Sequence, residues 1–280
     1  MRVGVVQHLD RNTDLDAQFA RMREMDIYSC QLICSDRKLF HTPGAAEKIL
    51  ETQKKYGITV TAFWCGWEGR KVWDLYEGQI TLGLVPVDTR AERLRMLMEG
   101  SDFAKELGIG YLVTHVGYIP ENPLDPNYHG TLNACKTLAA HCAQNGQVFL
   151  FETGQETPIT LKRALQDIEA SVGAGTVGIN LDPANLLLYG KANPVDALDV
   201  FGEYVRGVHG KDGMYPTDGH KLGKEMPLGE GRVNYPVFIR RLKEVGYDGD
   251  ITIEREISGE QQTKDILAGK ALLEKLIAQL

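Results

Sequence analysis

"AAEKILETQKKYGITVTAFWCG", residues 45–66, is the stretch on which the fold turns. Residues 45–56 carry the apolar spacing of an amphipathic helix, and Gly57 stands where a left-handed residue ends one. Residues 59–66 then form a β-branched and aromatic run of strand length. Helix, glycine stop and strand make one beat of an α/β rhythm, and the same beat recurs in both directions along the chain.

Strand-like runs are "RVGVVQ", "SCQLICS", "TVTAFWCG", "YLVTHVG", "QVFLFETG", "VGINLDPAN", "RGVHGKD" and "DITIERE". Amphipathic stretches such as "DLDAQFARMREM" and "TRAERLRMLMEGSDFAKELG" lie between them, with Gly108, Gly146 and Gly246 as further stops. "VNYPVFIRRLKEVGY" shows a whole helix: Asn234 as the expected cap, Pro236 in the first turn, Gly246 at the end. Eight units over 280 residues leave roughly 35 residues for each. The expected fold is α/β, a single (β/α)8 TIM barrel, with residues 1–280 as one domain. A doubly wound open sheet is the rival, but no GxGxxG follows the first strand. The longer connecting pieces, residues 66–87, 117–130 and 213–233, each follow a strand, which in a barrel places them at the catalytic face.

Composition narrows the function. Hydrophobic residues make up 43% of the chain and charged ones 25%, enough for one large core. The net charge of -7, with no basic run, disfavours a nucleic-acid partner. The amino terminus turns polar after "MRVGVV" and no window is continuously apolar over a membrane-spanning length, so neither a signal peptide nor a membrane partner is expected. Cys30, Cys34, Cys65, Cys135 and Cys142 have no metal-knuckle spacing and read as reduced, mostly buried thiols, which suits a cytoplasmic location.

Side chains alternate along a strand, so parity separates those that point into a barrel from those that face its helices. In the fifth strand Val148, Leu150 and Glu152 share a face; in the sixth, Asn180 and Asp182; in the seventh, Gly207, His209 and Lys211; in the eighth, Thr252, Glu254 and Glu256. Four consecutive strands thus bring three acids and one imidazole to one mouth. Taken singly, a strand-end acid is often a helix cap and a histidine a satisfied core residue. Together, converging carboxylates repel unless a cation lies among them. A single divalent metal ion resolves the repulsion: manganese first, with magnesium, cobalt or zinc as alternatives.

"FLFETGQE", "GINLDPANLLLYG", "VHGKDG", "PLGEGRVNY" and "ITIERE" together resemble the xylose isomerase-like TIM-barrel superfamily, most sharply from Thr114 to Glu256. The resemblance implies that Glu152, Asp182, His209 and Glu254 are the metal ligands and that Glu152 and Glu254 are also the catalytic acids. Glu256, of the same parity, is the alternative to Glu254. The implied chemistry is proton transfer beside a carbonyl: the metal polarises a keto-sugar, an enediolate forms, and a proton returns. Return on the opposite face gives a ketose 3-epimerase, the leading reading. Return to the neighbouring carbon, or loss of a leaving group, gives an inosose or keto-sugar isomerase, dehydratase or lyase. The partner is a small carbohydrate, and self-association into a homo-oligomer is left open.

Further residues are expected to hold substrate. His115 ends the fourth strand facing inward, and Lys211 is placed to steady an oxyanion, with an ion pair to Asp212 or Glu230 as its structural alternative. Trp64 and Trp67 offer an apolar wall to a sugar or, equally, core packing. His8 ends the first strand, and Glu156 follows Glu152 in the same loop. The "GEG" of "PLGEGRVNY" has the form of an anion site but reads as a loop feature. An endonuclease IV-type enzyme is the rival of another class. Asp218 and His220 match its Asp-x-His pair, but Asn185 stands where that family has a histidine.

Overall fold

The computed structural model describes residues 1–280. Its strands are β1 (Arg2–Leu9), β2 (Ser29–Cys34), β3 (Thr59–Cys65), β4 (Tyr111–Thr114), β5 (Val148–Glu152), β6 (Val177–Leu181), β7 (Val205–Gly210), β8 (Asp212–Gly213), β9 (Glu225–Met226) and β10 (Asp250–Ile253). Eight of them close into a parallel barrel in the order β1-β10-β7-β6-β5-β4-β3-β2, while β8 and β9 form a separate antiparallel pair. Each barrel strand coincides with a run read from sequence, although β1 continues two residues past its run and β7 begins one residue before its own, and the helices between them complete a (β/α)8 barrel.

Local signals explain the helix ends. Gly57, Gly108, Gly146 and Gly246 follow their helices with φ of 63°, 69°, 73° and 85°, a region that costs glycine nothing. The helix Tyr235–Glu244 begins after Asn234 as expected, but that side chain caps nothing. Asp14, Asp125 and Asn193 do accept first-turn N–H groups at their helices.

Parity holds around the barrel. Phe149 and Phe151 are buried with their rings 4.6 Å apart, on the face of β5 opposite Glu152. In β2, Cys30, Leu32 and Cys34 are fully buried on one face, while Gln31 on the other reaches Asn180 of β6 across the interior. All five cysteines are buried and free, and burial pushes the Cys34, Cys135 and Cys142 thiols up to about 12. No helix is long and apolar enough to cross a membrane.

The long loops shape the mouth. Leu75 N–H donates to the His220 carbonyl at 3.1 Å, and the Tyr76 and His220 rings lie 5.2 Å apart. The segments after β3 and β7, from opposite sides of the barrel, therefore meet and bridge it. The β8–β9 segment is organised by Asp212, whose carboxylate accepts from the backbone N–H groups of Gly213 (2.8 Å), Gly229 (3.0 Å), Gly231 (3.1 Å) and Val233 (3.0 Å). The anion that the "GEG" turn clasps is thus the protein's own Asp212. A Cβ at Gly231 would lie 2.1 Å from Asp212 Oδ1, so the turn requires glycine there.

Candidate metal centre and its cavity

Glu152 ends β5, Asp182 follows β6, His209 lies in β7 and Glu254 follows β10, so four adjacent strands supply the cluster. One ligand-type atom from each lies within 4.8 Å of all the others. His209 Nδ1 is 3.4 Å from Glu152 Oε1, 3.6 Å from Asp182 Oδ2 and 3.5 Å from Glu254 Oε2.

Asp182 caps a helix with one oxygen and leaves the other to the cluster. Its Oδ1 caps the helix Pro183–Leu188 by accepting from Asn185 N–H at 2.9 Å. That leaves Oδ2 facing His209 Nδ1, and both atoms are buried with no hydrogen-bond partner. Two unpartnered polar atoms in one closed site are costly unless something binds both. Burial alone would depress the His209 imidazole, yet the charges of Glu152 and Glu254 raise its pKa well above the ordinary value.

Lys211 is buried beside the cluster, 2.8 Å from Glu254 Oε2, 2.6 Å from Glu256 Oε1 and 3.5 Å from Asp182 Oδ2. These carboxylates, rather than Asp212 or Glu230, are its partners, because Asp212 points the other way into its turn. Although burial opposes both charges, the pairing raises Lys211 well above its usual pKa and, with His209, holds Glu254 well below the usual carboxylate value. With the His209 imidazole neutral, as a metal ligand must be, the three clustered carboxylates against the Lys211 ammonium leave two negative charges, which one divalent cation would offset. The donor set of three carboxylates and one imidazole suits such an ion. Charge, orphaned atoms and ligand chemistry all fit a metal here.

Two residues support His209: Gln31, which the sequence reading missed, and Asn180, which it placed inward but gave no role. Its Nε2 lies 2.9 Å from Gln31 Oε1 and 3.1 Å from Asn180 Nδ2, and Gln31 Nε2 donates to Asn180 Oδ1 at 2.9 Å. A ring that ligates through Nδ1 must carry its proton on Nε2, where Gln31 accepts it; with the proton on Nδ1, Asn180 donates to Nε2 instead. Gly207 makes room for this pair, since a Cβ there would lie 2.2 Å from Asn180 Oδ1.

The remaining expected residues separate. The Trp64 indole N–H donates to Glu152 Oε2, so Trp64 is a polar partner of the cluster as well as a wall. His115 Nε2 is 3.6 Å from Glu152 Oε1. Glu256 pairs with Lys211 but its side chain is 59% exposed, outside the four-residue cluster. His8 is exposed and borders the cavity. Glu156 does not join the others: it is buried with Oε1 unpartnered, and burial raises its pKa to about 8. Asp218 and His220 are exposed on the bridging loop and take no part in the cluster.

A cavity of about 790 Å³ opens above the cluster, and of the four clustered residues only Glu152 and Glu254 border it. Asp182 and His209 are fully buried beneath.

Comparison with known proteins agrees with this architecture. An uncharacterised protein of Methanocaldococcus jannaschii is 30% identical over 284 residues, covering 95% of this chain and 88% of its own length. A xylose isomerase domain protein from Planctomyces limnophilus superposes with a TM-score of 0.88 at 31% identity, covering 99% of this chain and 98% of its own. A D-tagatose 3-epimerase-like protein shares the fold with a TM-score of 0.72 at 20% identity, covering 99% and 97%. The model of the xylose isomerase-like TIM barrel family matches residues 19–276, and the chain belongs to that family.

Proposed function

We propose that this protein is a metal-dependent isomerase or epimerase of a sugar or related polyol ketone, with epimerisation at C3 of a ketose as its leading reaction. The observation that carries this reading is the division of the cluster: Asp182 and His209 are sealed below, whereas Glu152 and Glu254 reach the cavity from opposite ends of a four-strand arc. The proposed ligands are all four residues, and the proposed ion is manganese, with magnesium, cobalt or zinc as alternatives. When bound, it would polarise the substrate carbonyl and stabilise the negative charge of the enediolate.

The chain's own groups then move the proton. One glutamate accepts the proton on the carbon beside the carbonyl, whose electron pair passes into the carbonyl to form the enediolate. The other, once it has taken up a proton from solvent in the cavity, delivers that proton to the same carbon from the opposite face, which inverts it. An epimerase runs in both directions, so each glutamate is the base for one epimer and the acid for the other. In this reading Lys211 pairs with Glu254 from beneath the floor and steadies the charge that develops there, while Trp64 and His115 orient Glu152. The likeness to a D-tagatose 3-epimerase-like protein supports the substrate class. Inosose or keto-sugar isomerisation, dehydration or elimination shares the first step and is the second reading. Nucleic acid is not the proposed substrate, because the chain carries a net charge of -7 and Asp218 and His220 lie outside the cluster.

The test is a screen of free ketoses, inososes and keto-glycosides with the metal-reconstituted protein in deuterated water. Deuterium should enter at the carbon beside the carbonyl of the true substrate and appear in an inverted product. Failure of every ketone to exchange would count against this function.

A further inference from the structure

The cavity is larger than a single sugar requires. Even if each of the roughly dozen non-hydrogen atoms of a hexose took the ~30 Å³ that a water molecule occupies in the liquid, about 360 Å³ would be filled. The cavity holds about 790 Å³. Its second half is built rather than merely open.

Four rings, Trp64, Trp67, Trp73 and His115, close on one another along one side of the cavity, with Trp64 and His115 5.8 Å apart. The Trp64 and Trp67 ring centroids are 6.3 Å apart, those of Trp67 and Trp73 6.2 Å, and His115 lies 5.3 Å from Trp73. Trp64 bonds to Glu152 at the inner end, while Trp73, 42% exposed, stands at the outer end. Trp67 is buried and its indole N–H has no partner. Trp73 and Leu222, each two residues along the chain from the Leu75–His220 contact, border the cavity, so the bridge adjoins it. Lys71 near Trp73, and Ser258 and Gln262 on the segment after β10, add hydrogen-bonding groups to the cavity lining. Lys71 donates to the Trp67 carbonyl at 2.8 Å and forms no ion pair. An aromatic face fringed with neutral and cationic donors matches a sugar ring, with its C–H face and its hydroxyl edge, better than an apolar group.

We propose that the substrate is a keto-sugar carrying a second sugar ring, with the ketone at the Glu152–Glu254 floor and the second ring against Trp73 beside the bridge. The inference rests on the keto-sugar reading of the floor, and binding separates the two ideas. Calorimetry on the manganese-loaded protein would compare a hexitol, which cannot react, with the same hexitol bearing a glucosyl group. The glucosylated form should bind about tenfold more tightly, the scale of one good aromatic stack plus its hydrogen bonds. Trp73→Ala should bring the ratio of the two affinities close to one, with the melting temperature checked to show that the variant is folded. Equal affinities, no binding of either compound, or an advantage that survives Trp73→Ala would overturn the proposal. Deuterium exchange on free and glucosylated ketoses reports on the floor instead. Selective binding without any exchange keeps the two-ring pocket and overturns the reaction. Exchange without preference for the glucosylated ketose does the reverse.

Discussion

Glu152 and Glu254 touch the cavity while Asp182 and His209 do not, and substitution should expose that difference. Gln at either glutamate keeps an oxygen for coordination but removes the basic site. Glu152→Gln and Glu254→Gln should each lower turnover by at least ~100-fold, the low end for general acid–base catalysis, with metal retained. In deuterated water, a variant that has lost only its return step should still exchange the substrate proton without forming product. Near-normal turnover in both would move the base elsewhere, first to Glu256. His209 offers a second test through Gln31. In Gln31→Leu only Asn180 remains beside Nε2, and it supports the tautomer that cannot ligate through Nδ1. Metal affinity, read by calorimetry, should fall about tenfold, as for other outer partners of ligating histidines. Unchanged affinity would remove Gln31 from the site. The inward acids and the histidine were legible from strand parity, which left Glu254 and Glu256 equivalent until the family resemblance chose between them. Gln31 was legible in principle, a polar residue that shares with Ser29 the face opposite Cys30 and Cys34, but its partners lie on β6 and β7, far along the chain. Trp64 shows the limit of the method, because no local pattern reveals that an indole N–H will meet a carboxylate from another strand.

At the scale of elements, strands and long helices follow from local periodicity, whereas the β8–β9 segment depends on a single side chain. Asp212 satisfies four backbone N–H groups, which would otherwise be left without acceptors in a partly buried turn. Asp212→Ala should therefore cost about 3 kcal/mol in urea unfolding and should open residues 213–233 to proteolysis first. A loss under about 0.5 kcal/mol, typical of an unimportant surface change, would contradict that role. In the sequence the glycines of this turn resembled an anion site, and the anion proved to be internal. The loop after β5 carries another internal acid. Glu156 has a folded pKa of about 8 against an ordinary value of 4.5, raised by burial. Between those values the native state holds a proton that the unfolded chain releases, so this group's contribution to stability is present in acid and is lost as pH rises toward 8. Thermal melts of Glu156→Gln should lose that component of the decline, and the variant should melt above the wild type at pH 8. Parallel pH profiles for the two proteins would contradict the burial of this carboxyl.

At the scale of the whole molecule, barrel closure turns separate strand-end residues into one site. Eight βα units and the inward parity of four strands were enough to anticipate the closed barrel and its cluster. The bridge between the segments after β3 and β7 was not legible, since it rests on a backbone contact between Leu75 and His220 that no residue pattern marks. The size of the cavity follows from that bridge and from the aromatic wall, so it too appears only in three dimensions. Everything proposed about chemistry depends on a cation resolving the charge imbalance at the barrel's mouth. Anomalous diffraction from crystals of the manganese-loaded protein tests this most directly. One strong peak is predicted within about 2.0–2.6 Å of a carboxylate oxygen from each of Glu152, Asp182 and Glu254 and of His209 Nδ1. No peak among these four side chains with manganese in excess, or a peak held by other residues, would contradict the account.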